Sequence, residues 1–267
     1  MISPITDPAV IEGYLSDASN TRGRAEALFR PRSAEEVAEV LAEARHRRVP
    51  VTVTARRTST TGAPVPEGGW LLSTEMLDRI HAADDAEGGV LLGDYQDRVE
   101  NDGRLFPPDP TSRRECSLGA AIACNASGAR SFRYGPTRPW VEALQVVLPD
   151  GTIRWCDRST PLPADWPRPR WQEPAVKTAA GYFPADNLLD LMIGQEGTLG
   201  VITRARLRLV PLPAAVLSLM AFLPDLDRTL RLVERARAGA RRPWRPTAEA
   251  SALDPRAIEY FDDAALD

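Results

Sequence analysis

Residues 117–128 read SLGAAIACNASG, a run with little side-chain bulk. It constrains the fold more than any other feature, because bare backbone of this kind allows a very close approach to something else. It must then be held by the rest of the chain. At 267 residues there is room for one large or two modest domains. A hydrophobic share of 43% and a charged share of 26% are ordinary globular values, which exclude a disordered, collagenous or rod-like chain.

Around that run the sequence alternates helix and strand signals. Ser33 and Glu36 form a capping-box pair, and Val37, Val40, Leu41 and Ala44 follow at helical spacing. A short β-branched strand over residues 51–54, a Thr-, Gly- and Pro-rich loop over 55–69 and a strand over 70–73 come next. Residues 88–93 read as a strand, 95–101 as a helix stopped by Gly103, and Phe106-Pro-Pro-Asp-Pro110 as a rigid turn. The Asp150-Gly151 pair between residues 141–149 and 153–156 predicts a hairpin. Five prolines within residues 158–174 predict a surface loop. A helix over 188–192, a glycine-rich turn over 194–200 and a strand over 204–210 follow, then a strand over 216–222 and an amphipathic helix over 225–238. No internal repeat of 20 to 50 residues is visible.

Several function classes fall away. A net charge of -4 and a pI near 5.4 give no basic field for nucleic acid or anionic lipid. Lys177 is the only lysine, so arginine is the default basic residue here and an isolated one carries little functional weight. Cys116, Cys124 and Cys156 form no C-x-x-C pair, which argues against a disulfide scaffold or a cysteine-ligated zinc and for a reducing, cytoplasmic compartment. The first ten residues carry neither the basic nor the apolar region of a signal peptide, and no window is apolar enough to span a membrane. Gly194, Gly197 and Gly200 lack the G-x-G spacing of a Rossmann fingerprint, and no Walker A, H-E-x-x-H or G-x-S-x-G sequence occurs.

Four ordered segments carry a family resemblance: Thr58-Ser-Thr-Thr-Gly-Ala-Pro-Val-Pro66, Phe106-Pro-Pro-Asp-Pro110, residues 117–128 with Tyr134-Gly135, and residues 194–203. The chain resembles the FAD-binding domain of the vanillyl-alcohol oxidase and p-cresol methylhydroxylase (PCMH) type, within it the FAD-linked D-lactate dehydrogenases and glycolate oxidase flavin subunits. The resemblance implies an α+β fold of two α/β subdomains over residues 1–213, followed by a partial substrate or cap domain over 214–267. It implies FAD and hydride transfer from a small 2-hydroxy acid; the first loop holds no histidine, so the FAD is expected to be non-covalent, and a homo-oligomer or partner subunit is expected to complete the partial cap. The alternative is an incomplete or non-catalytic flavin-binding subunit that needs a partner chain.

By the same resemblance, Thr58, Ser59, Thr60, Thr61 and Gly62 grip the cofactor's phosphates from one side, and Arg56 and Arg57, where this chain departs from the family, join them as cofactor-binding candidates through their charge. Ser117, Gly119, Ala120, Asn125 and Gly128 grip the phosphates from the other. Pro108 and Asp109 stand near the flavin ring, and Glu196, Gly197, Gly200, Val201 and Ile202 line the cofactor. A valine at Gly119 or Gly128 is accordingly expected to evict flavin while leaving the fold intact. Relatives carry a glycine triplet where this chain has Ala55-Arg56-Arg57, and Ser59 and Ala63 also replace glycine. Wherever such a position needs φ > 0, a side chain costs about 1 to 2 kcal/mol, roughly tenfold in affinity. An arginine paired with a phosphate would offset the loss. The bland expectations are that Cys124 packs in the core, that Lys177 is a surface charge, that Tyr182 is core, and that Arg204, Arg206 and Arg208 form a solvated face. The two histidines, His46 and His81, lie outside these motifs, so no general base is assigned.

Overall fold

The computed structural model describes residues 2–167, 182–240 and 254–266. Its first layer is built from β1 (Ala27–Phe29), β2 (Val51–Thr54) and β3 (Trp70–Ser73), all parallel in the order β1-β3-β2. Between β1 and β2 runs α2 (Ala34–Arg47), preceded in the chain by the short α1 (Pro8–Ile11). The Ser33 hydroxyl caps α2 by accepting from the Glu36 N–H at 3.3 Å, and Arg48 in the left-handed region ends it. Val37, Val40, Leu41 and Ala44 are buried against the sheet, as their spacing predicts. Burying each large apolar side chain contributes about 1.5 to 3 kcal/mol.

The second layer is a five-stranded antiparallel sheet of β4 (Ile80–Ala82), β5 (Asp85–Glu87), β7 (Val141–Val147), β8 (Ile153–Asp157) and β9 (Val201–Leu207). Its order is β4-β5-β9-β7-β8, so β9 lies at the centre. β7 and β8 are the expected hairpin, with Gly151 in the left-handed region at φ 86°. A small ribbon pairs β6 (Arg104–Leu105) with β10 (Val210–Pro211). Helices α3 (Leu92–Asn101), α4 (Leu118–Ala123), α5 (Ser131–Tyr134) and α6 (Leu188–Met192) complete this half. Its core joins Tyr95, Phe106, Ile122, Leu144, Leu189 and Leu207. Val147 and Val201 pack instead with Val40 and Leu72, which ties the two layers together. The architecture is mixed helix and sheet, each sheet backed by its own helices.

Five expectations change. Residues 88–93 are no strand: Gly88 and Gly89 form a turn in which an added Cβ would lie 2.5 Å from the Ile202 carbonyl oxygen and 2.1 Å from that of Thr74. Residues 216–222 are apolar enough for a strand but pair with nothing among the described residues, and Leu217 and Phe222 stand 80% and 82% exposed. The helix after them, α7 (Leu226–Gly239), forms as expected under an Asp225 cap, and α8 (Asp263–Leu266) follows. Arg204 is no solvated charge, since its Nε and Nη2 grip Asp85 at 2.5 and 2.7 Å. Arg206 lies over the Trp155 ring and Arg208 over that of Trp140. Finally, Cys124 is exposed, not core, and Tyr182 is 49% exposed. Lys177 lies outside the described residues, as does part of the proline-rich loop.

Candidate functional site

Between the two layers opens a cleft of about 420 Å³. Its walls are residues 53–61 with Ala63 and Pro64, then Pro110, Ser112 and Cys116, then parts of residues 119–127, and last residues 195–197 with Gly200 and Ile202. Segments far apart in sequence therefore meet at one seam.

The first loop supplies the polar wall. The backbone N–H groups of Arg56, Arg57, Thr58, Ser59 and Thr60 donate to no acceptor among the described residues. Consecutive unpaired N–H groups lining a concavity form an anion nest. Two side-chain atoms on the same wall, Thr54 Oγ1 and Arg56 Nε, are buried and make no hydrogen bond. Such orphans are costly, and the cost is removed when a ligand brings acceptors.

The loop's shape is imposed from behind by a segment that sequence reasoning passed over. The Asp17 carboxylate accepts from the Gly62 N–H at 3.0 Å, and the Ala18 N–H donates to the Arg57 carbonyl at 3.2 Å. Gly62, at φ 78°, thus shapes the loop while its own donor is already taken. Of Ala55, Arg56, Arg57, Ser59 and Ala63, only Arg57 has positive φ, 56°. Its guanidinium lies 4.5 Å over the Tyr14 ring and donates to the Ala55 carbonyl at 3.1 Å. Tyr14 in turn donates to Glu75, which Arg30 also holds.

The small-residue run behaves differently. Its donors are used internally: the Gly119 N–H goes to the Gly88 carbonyl at 2.7 Å and the Ala120 N–H to Ser117 Oγ at 3.3 Å. Its lack of bulk serves backbone contact. A Cβ at Gly119 would lie 2.8 Å from the Gly88 oxygen, and one at Gly128 1.5 Å from the Asp109 oxygen.

The third wall is the turn after α6. Gln195 is buried, accepts from the Leu199 N–H at 2.8 Å and donates to the Gly200 carbonyl at 3.0 Å. Glu196 and Gly197 are both left-handed, and the Glu196 N–H reaches the Ala123 carbonyl at 2.9 Å, fastening the turn to α4. Arg138, also unforeseen from sequence, anchors the corner through the carbonyls of Asp190 and Ile193.

Of the residues expected from sequence, Arg56, Arg57, Thr58, Ser59, Thr60, Thr61, Gly119, Ala120, Glu196, Gly197, Gly200 and Ile202 line the cleft together. The others stand behind the walls. Pro108 accepts from Gln96, Asp109 pairs with Arg130 at 3.1 Å, and Ser117 caps α4. Buried Asn125 accepts from the Arg138 N–H, Gly128 abuts Asp109, and Val201 belongs to the inter-layer core.

Burial pushes the Cys116 thiol up, so that wall residue stays neutral. Burial also acts to raise the Asp190 carboxyl. Hydrogen bonds from Arg158 and Asn187 outweigh it and hold Asp190 below the usual carboxylate range. A depressed folded-state value means the contribution is full above about pH 4, where unfolded aspartate ionises, and is lost as pH falls through the folded value. Acid titration of unfolding should therefore show a stability loss below about pH 4 that Asp190→Asn diminishes. Identical acid limbs in the two proteins would remove Asp190 from that account.

Residues 25–157 match the family model described as FAD binding domain. The chain is 35% identical over 248 residues to the D-lactate dehydrogenase of Anaerostipes hadrus, covering 90% of this chain and 46% of that protein. It is 31% identical over 248 residues to the glycolate oxidase subunit GlcD of Bacillus subtilis (strain 168), again 90% and 46%. Against the mitochondrial D-2-hydroxyglutarate dehydrogenase of Bos taurus it is 32% identical over 242 residues, 88% and 41%. The chain thus spans about half the length of the curated relatives it matches. Among solved structures, 6-hydroxy-D-nicotine oxidase from Arthrobacter nicotinovorans superposes with a TM-score of 0.62 at 17% identity, over 79% of this chain and 42% of that one. That likeness establishes fold alone. No helix among the described residues is long and apolar enough to cross a membrane.

Proposed function

The chain belongs to the FAD binding domain family, and on that premise we propose that its cleft holds FAD non-covalently for the oxidation of a small 2-hydroxy acid of the D-lactate or glycolate class. The observation that carries the reading is the open row of N–H groups from Arg56 to Thr60, beside the orphaned Thr54 Oγ1 and Arg56 Nε, in the cleft between the layers. These donors suit a pyrophosphate, and the apolar wall of Ala121, Ala126 and Ile202 suits a ring system. When bound, FAD supplies the hydride acceptor.

The protein's own part is to place and desolvate. The loop of Thr58, Ser59, Thr60 and Thr61 faces the phosphates, with Gly119 and Ala120 opposite and Glu196 and Gly197 on the third side. Gly62, Pro108, Asp109, Ser117, Asn125, Gly128 and Val201 hold those walls from behind. Among the described residues Glu196 is the only carboxylate lining the cleft, and no histidine among them lines it. The group that takes the hydroxyl proton is therefore assigned to the substrate-covering unit, with residues 1–213 holding the cofactor and 214–267 belonging to that unit. A cytoplasmic setting suits the three cysteines, none of which forms a disulfide.

The exposed apolar residues between Val216 and Leu223 favour a second reading, a flavin-binding subunit completed by a partner chain or by a second copy. The test is the visible spectrum of the purified protein, with acid release and quantification of flavin. Near-stoichiometric releasable FAD that bleaches with D-lactate or glycolate is expected. Bound FAD without bleaching would select the partner-dependent reading, and failure to take up added FAD would overturn both.

A further inference from the structure

Arg56 and Arg57 both line the cleft, yet their surroundings differ. Arg57 is committed: it stacks on Tyr14, bonds the Ala55 carbonyl and takes the left-handed backbone turn of the loop. Arg56 makes no ion pair among the described residues, and its Nε is buried without an acceptor. The carboxylates behind the loop are engaged elsewhere. Asp17 holds the Gly62 N–H and Ser19, while Glu75 holds Tyr14 and Arg30. On the cleft side the one carboxylate among the described residues is Glu196, on the opposite wall. Among the described residues the nest is thus flanked by two guanidinium groups without a carboxylate partner, of which Arg57 is tied to the loop and Arg56 is not.

We propose that Arg56 is the charge partner of the cofactor's pyrophosphate, so that this cleft selects a phosphorylated flavin by a guanidinium beside the open N–H groups, with Arg57 serving only as the loop's brace. The inference rests on the FAD reading above. A guanidinium offers forked donors matched to phosphate oxygens, and an N–H–phosphate contact of this kind is charge-assisted. Its partial burial limits screening by salt relative to a surface pair, although measurable salt dependence remains.

The experiment titrates flavin-stripped protein with FAD and, separately, with riboflavin, which has no phosphate, following flavin fluorescence at low and high salt. Wild type should prefer FAD, with an affinity that falls as salt rises, while riboflavin binding stays insensitive. Arg56→Gln should weaken FAD by roughly 10-fold to 100-fold, the value of a charge-assisted hydrogen bond, and leave riboflavin unchanged. Arg56→Lys should recover part of the loss. Arg57→Gln should lower the melting temperature and weaken both flavins alike. An unchanged FAD affinity in Arg56→Gln, or equal losses for FAD and riboflavin, overturns the assignment and leaves the FAD reading standing. Wild type binding neither flavin overturns that reading and the assignment with it. Should Arg56→Gln not fold, a salt-independent preference for FAD in wild type overturns the assignment by itself.

Discussion

Gly128→Val should lose about 3 kcal/mol or more of stability in the flavin-free protein, a melting decrease of roughly 10 °C. The new Cβ would fall 1.5 Å from the Asp109 carbonyl oxygen and 2.4 Å from its carbon. No rotamer relieves a clash between Cβ and backbone, so the turn at Asp109 and Pro110 must shift. Flavin affinity should fall in the same variant, because Pro110 and Ser112 are part of the cleft wall. Gly128→Ala should already show most of the destabilisation, since the clash belongs to Cβ. The sequence suggests another outcome, in which the room at Gly128 belongs to the cofactor and only binding is lost. Thermal unfolding of the three flavin-free proteins separates the two, and an unaltered melt in Gly128→Val would refute the backbone account.

Arg138→Met should cost about 3 kcal/mol, while Arg158→Met should cost under about 1 kcal/mol, although both arginines reach Asp190. Arg138 is 13% exposed and Arg158 46%. The Arg138 guanidinium donates to the Ile193 carbonyl at 2.6 Å and lies 3.8 Å over the Phe183 ring. Methionine fills the volume but leaves those carbonyls without a donor. The turn of Gln195, Glu196 and Gly197 should loosen, weakening flavin as well. Urea midpoints would test this, and equal losses in the two variants would mean that backbone alone holds the corner.

Most of what local chemistry dictates is legible in the sequence. The Ser33 cap, the apolar stripe of α2, the Asp150-Gly151 hairpin and the Asp225-capped α7 all depend on neighbours a few residues away. What is not legible depends on distant partners. Gly88 and Gly89 imitate a strand because nothing in the sequence reveals the carbonyls of Ile202 and Thr74 that crowd them. Residues 216–222 carry strand composition without a pairing strand among the described residues. In the candidate site, the Thr- and Ser-rich loop stands out by composition, whereas Asp17 and Arg138 act on backbone groups 45 and 55 residues away and leave no motif. The departure at residues 55–57 proves nearly free of strain, because only Arg57 adopts a left-handed conformation.

The central place of β9 sets a timetable for biosynthesis. β5 and β7 are each translated well before Val201, and each waits with an open hydrogen-bonding edge for the same late strand. Until β9 emerges from the ribosome, a nascent chain carries two unpaired edges and the hydrophobic faces of two unjoined hairpins, the state in which chains pair wrongly with one another. Translation that stalls before that point yields a sticky fragment, whereas stalling just after it yields a closed sheet.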